Sequence, residues 1–256
     1  MKTIVFHSLN GTSDILDLKE YARALVRKGH SVLLFDFEYL SPFLYKRLEE
    51  DSGAGYVDYL KTFDIQTRLS EPTTAQKDFL RGLITPLTNQ EGVKLLRIGD
   101  DNVRDYWLFT TSHRFHQQFN PLNIQAFKND KTLIESVSKV DYLIFDVKNY
   151  SEIVEIPFLH WSDVIIHFVY PSIDCMDFAC RSLVTLIKHS GIDKIKPFVC
   201  VIYDIGEKTL PENYDLLAYW KNFLLNNDKL DYVDYLKESQ IFRLCRGDDF
   251  VSKMFN

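Results

Sequence analysis

Several things are scarce in this 256-residue chain. Glycine occurs 10 times and proline 8 times, with no Pro- or Ser-rich linker, internal repeat or low-complexity run, which excludes fibrous and extended disordered architectures. The four cysteines, Cys175, Cys180, Cys200 and Cys245, form no CxxC pair and sit mostly among apolar neighbours. That pattern fits reduced, buried thiols rather than a disulfide scaffold, and points to an intracellular, cytoplasmic protein. Positive charge is also short: 30 Lys and Arg stand against 36 Asp and Glu, a net charge of −6. General nucleic-acid binding, which needs a net or strongly clustered positive charge, is not expected. The longest apolar stretches, such as 164–170, fall far below the roughly 18 residues that span a bilayer. The N-terminus runs directly into the apolar TIVF at 3–6, with no leader pattern, and 248–256 is too short and too acidic at its start for an amphipathic membrane helix. No membrane anchor is expected.

What is present is globular: 46% hydrophobic and 26% charged residues, in a length that suits one large α/β domain or two small ones. Residues 2–7 read as a strand bounded by Asn10-Gly11. Residues 14–28 carry Leu18, Tyr21, Ala22, Leu25 and Val26 at helical spacing, with capping candidates Thr12, Ser13 and Asp14 before them and Gly29 after. Residues 30–37 (HSVLLFDF) form a second strand, apolar on both faces as in a parallel sheet covered by helices. Three more strands of this kind lie at 141–147, 163–170 and 197–204. Helices are expected at 175–189 and at 210–226, where Pro211 fits the first turn. The alternation predicts a doubly wound, mainly parallel sheet flanked by helices. Residues 51–118 are less regular, with short helices expected at 56–63 and 76–83 and a strand at 93–98. They are read as an elaboration of a single domain spanning 1–256.

In such sheets ligands bind beyond the carboxyl ends of the strands. Those ends lead into residues 8–13, 36–41, 146–150, 171–174 and 203–206, and the first of these joins a strand to a helix N-terminus, where free backbone N–H groups hold anions.

Here the chain resembles the P-loop ATPases of the ParA/MinD type. The opening from TIVFHS (3–8) through ARALVRKG (22–29) to VLLFDFE (32–38) is similar to the family's start, and Leu40-Ser41-Pro42 continues the match. VDYLIFD (140–146) resembles its Walker B strand, and WSDVII (161–166) the strand after its switch region. The resemblance covers about two-thirds of the chain and implies the P-loop NTPase fold. It also implies that Asp36 and Asp146 match the acidic residues that position water and Mg²⁺, and that Tyr203 and Asp204 stand where an Asn contacts adenine.

The first loop departs from the pattern. The family's K-G-G-x-G-K-T lets backbone amides approach the phosphates, neutralises them with Lys and binds Mg²⁺ through Thr. This chain has Leu9, Asn10, Gly11, Thr12, Ser13, Asp14 and Ile15 there, and its next Lys is Lys19, inside the helix. In one register the Lys position falls on Asp14 and in the other on Ile15, while the Lys that reaches a partner's nucleotide maps to Leu9 or Asn10. A carboxylate in place of a cation beside a triphosphate costs several kcal/mol at intermediate dielectric.

A non-hydrolysing pseudo-ATPase is therefore expected, with no catalytic residues and no cofactor. It would act as an interaction, scaffold or regulatory subunit, as a homodimer or paired with an active ATPase relative. The alternative is a nucleotide-binding switch holding ATP or ADP with Mg²⁺ by unconventional contacts. Asn10, Gly11, Thr12, Ser13 and Asp14 would present amides, Lys148 would substitute as cation, Tyr203 and Asp204 would lie near the base, and Asp36 with Asp146 would hold the metal. Against that stands a plain reading in which Asp14 caps a helix and Asp36 and Asp146 are strand-end acids bonded to loop amides.

Other residues carry less. His113 and His116 lie three apart but lack a third ligand, His160, Trp161 and His167 read as packing residues, and Ser8 beside His7 lacks the rest of a triad. The aromatic groups Tyr39/Phe43/Tyr45, Tyr56/Tyr59 and Tyr214/Tyr219/Trp220 suit either an interface or a large core.

Overall fold

A computed structural model describes residues 1–8, 18–36, 54–87, 91–97, 121–147, 161–169, 198–204 and 240–245. The expected helices at 175–189 and 210–226 lie outside them. The elements run β1 (Lys2–Ser8), α1 (Leu18–Arg27), β2 (Val32–Asp36), α2 (Tyr56–Thr62), α3 (Ile65–Leu69), α4 (Thr74–Leu83), β3 (Thr85–Pro86) and β4 (Val93–Arg97). They continue with α5 (Pro121–Ser138), β5 (Tyr142–Val147), β6 (Val164–Val169), β7 (Phe198–Asp204) and β8 (Gln240–Cys245). No helix among the described residues is long and apolar enough to cross a membrane.

The strands form one sheet in the order β3-β4-β2-β5-β1-β6-β7-β8. Every pairing is parallel except the short antiparallel contact of β3 with β4. From β1 the chain moves outward to β2 and β4, returns at β5, and then crosses to β6, β7 and β8. The switch in direction lies where β5 and β1 sit side by side, the place at which such sheets take ligands.

Alternation along the strands divides the core in two. On one face Ile4, Phe6, Val32, Leu34, Val93, Leu95, Ile144 and Ile166 pack with Tyr21, Ala22 and Leu25 of α1. The Phe6 and Tyr21 rings meet edge to face at 4.9 Å, and burial pushes the Tyr21 phenol far above its usual pKa. The other set is aromatic: Phe35 meets Phe145 at 4.9 Å and Tyr56 at 5.7 Å, while Trp161 lies 5.6 Å from Phe145 and 6.0 Å from Tyr56. Trp161, Tyr56 and Tyr59 are fully buried, so these aromatics belong to the core.

The 51–118 region contributes more than the sequence pattern suggests. Beside the expected helices it holds α3, whose N-cap Asp64 accepts from Thr67 N at 2.8 Å, and the capping box of Thr73 and Gln76 that opens α4. The long helix α5 has no counterpart in the sequence-level expectations. Its buried stripe runs Ala126, Phe127, Asp130, Leu133, Ile134 and Ser138, so a buried carboxylate and a hydroxyl interrupt the apolar pattern.

Asp130 explains itself through its partners. Arg68 Nε donates to its Oδ2 at 3.0 Å, the Tyr56 hydroxyl donates at 2.5 Å and the Tyr59 hydroxyl at 3.2 Å. Gln76 Nε2 donates in turn to Tyr59 Oη at 3.3 Å, and the Arg68 guanidinium lies 4.9 Å from the Phe127 ring centre. Arg68 is 8% and Asp130 1% exposed. Burial pushes the Asp130 carboxyl up, against the guanidinium and phenols that hold its charged form, and it raises both phenols too. This network fastens α2, α3 and α4 to α5.

Candidate functional site at the carboxyl edge of the sheet

The two strand-end acids come together. Asp36, the last residue of β2, is the register partner of Asp146, the penultimate residue of β5. On the far side of β2, Asp36 pairs with Arg97, the last residue of β4. Asp146 pairs with Phe6, Phe6 with Ile166 and Ile166 with Val199. A single row across the sheet therefore reads Arg97, Asp36, Asp146, Phe6, Ile166, Val199, with the two acids beside the switch in chain direction. In register the two acids stand on strands about 4.8 Å apart, at the carboxyl ends where such sheets take ligands. Nothing in the local residue pattern marks Arg97; only the pairing of β4 with β2 brings it into the row.

Tyr203 and Asp204 end β7, where they pair with Leu244 and Cys245 of β8. In register they lie four and five residues beyond Val199, hence roughly 13 Å and more past the acid row along the strand direction. They are two strands away from β1 and do not join the Asp36–Asp146 pair. Asn10, Gly11, Thr12, Ser13, Asp14 and Lys148 lie outside the described residues, as do His113, His116 and His160. Lys19 belongs to α1. Among the residues whose side chains are described, no group of three or more His, Cys, Asp or Glu is placed to hold a metal ion.

The opposite edge of the sheet shows what the other motif aspartates do. Asp141, just before β5, accepts from Ser31 N at 2.7 Å and Ser31 Oγ at 3.0 Å, locking the start of β2 to that of β5. These hydrogen bonds hold its carboxyl below the usual carboxylate range. Asp163, just before β6, accepts from Thr3 N at 2.7 Å, while its own N donates to Thr3 O at 2.8 Å. Each closes the amino end of a strand on its neighbour. The acids thus divide by edge: Asp141 and Asp163 are satisfied on backbone amides at the amino ends, and Asp36 with Asp146 share a row at the carboxyl ends.

No protein-family model matches the chain, and no curated protein matches it in sequence. Solved structures do match it over nearly its whole length. Apo McdA from Cyanothece superposes with a TM-score of 0.60 at 16% identity, covering 93% of this chain and 96% of that one. A ParA family ATPase from Chlorobium tepidum gives 0.56 at 14% identity, covering 98% and 86%. MinD in the MinC:MinD cell division protein complex of Aquifex aeolicus gives 0.53 at 15% identity, covering 94% and 79%. With a parallel sheet that reverses direction at β1 and β5 and an acid pair at its carboxyl edge, the fold of this chain is that of the ParA/MinD-type ATPases.

Proposed function

We propose that this protein is a non-hydrolysing member of that architecture, acting as an interaction, scaffold or regulatory subunit that pairs with a second copy of itself or with an active ATPase of the same type. The observation that carries this reading is the composition of the first loop. Between β1 and α1 the sequence offers one glycine and no lysine, and an aspartate or isoleucine stands where phosphate neutralisation needs a cation. Phosphoryl transfer on this fold is almost entirely positioning and charge stabilisation, so a loop without that charge lacks the means for turnover. The MinD neighbour was solved with MinC bound, and that likeness supports a protein partner here.

Calorimetric titration with ATP, ADP and GTP, each with and without Mg²⁺, tests this reading. No heat of binding at millimolar nucleotide is expected, with self-association then followed by light scattering. Micromolar binding would overturn it.

A second reading, a nucleotide-binding switch without the lysine, is favoured by one observation: the register pairing of Asp36 with Asp146. That pair suits Mg²⁺, and the amides of residues 10–13 with Lys148 would then have to carry the phosphates.

A further inference from the structure

We draw no further inference here: the strongest candidate, the buried side-chain cluster of Arg68, Asp130, Tyr56, Tyr59 and Gln76 where α2, α3 and α4 meet α5, has its carboxylate already taken up by donors from its own helices and carries nothing beyond the fastening role described for it in the fold.

Discussion

Asp36 and Asp146 are direct register partners on adjacent parallel strands, with Arg97 next to Asp36 on the other side. A nucleotide bound through Mg²⁺ at this pair with micromolar affinity would, at millimolar concentration, add about 4 kcal/mol to stability. For a chain of this size that is a rise in Tm on the order of 10 °C. Under the proposed function no rise is expected. Thermal melts with and without Mg²⁺ and ATP, on the native chain and on Asp36→Asn and Asp146→Asn, should superpose within each protein.

Under the proposed function the first loop departs from K-G-G-x-G-K-T at several positions, so changing two of them should not suffice. Asp14→Lys combined with Ile15→Thr introduces one cation and one hydroxyl but neither further glycines nor a second lysine. Phosphate release from ATP by this double variant is expected to stay at the level of the parent. Turnover seen only in the variant would mean that the loop is closer to competence than its composition implies.

The Arg68–Asp130 pair predicts strong non-additivity. Arg68→Met leaves a buried, uncompensated carboxylate and should cost about 3–5 kcal/mol in denaturant unfolding. Asp130→Asn strands the guanidinium and should cost a similar amount. The double variant keeps an acceptor for Tyr56 and Tyr59 while removing both charges, so it should be more stable than the sum of the singles by at least about 2 kcal/mol.

Asp141 gives the fold an acid-sensitive fastening. Its carboxyl is held below the ordinary range by the Ser31 amide and hydroxyl. Its contribution is therefore complete above the unfolded carboxylate value of about 4 and is lost as pH falls through the lower folded value. Asp141→Asn should lower Tm at neutral pH and flatten the fall of Tm with pH below about 4. Melts across that range read both effects.

Two positions with positive φ should respond in opposite directions. Lys139, just past α5, has φ of 50° and donates its N–H to Glu135 O at 3.2 Å, a helix-ending conformation that suits glycine. Lys139→Gly should raise stability by up to about 1 kcal/mol, some 2–4 °C in Tm. Gly29, with φ of 89°, ends α1 in open space, so Gly29→Ala should cost about 1–2 kcal/mol from backbone strain alone.

The parallel strands were legible in the sequence because each is apolar on both faces, a pattern that needs helices above and below. β8 escaped notice because Gln240 and Arg243 break its apolar run, which an edge strand tolerates. α5 escaped for the reason that makes it informative: its buried face is centred on Asp130, and no periodicity of apolar residues reports a carboxylate whose partners lie 62 to 74 residues upstream. The motif placed Asp36 and Asp146 at strand ends. That they are neighbours depends on β5 inserting between β2 and β1, and the same insertion decides that Arg97 borders the acids. Strand order is a property of the closed sheet, and it leaves no local trace in any one strand.

The carboxylate of Asp130 gathers hydrogen bonds from three residues on two short helices, and α4 joins the set through Gln76. None of these short helices has the length to persist alone in water. Opening any one of them breaks a charged or polar contact on which the others depend. Residues 56–83 and 121–138 should therefore fluctuate as one cooperative unit with a shared opening free energy, exchanging their amide hydrogens together.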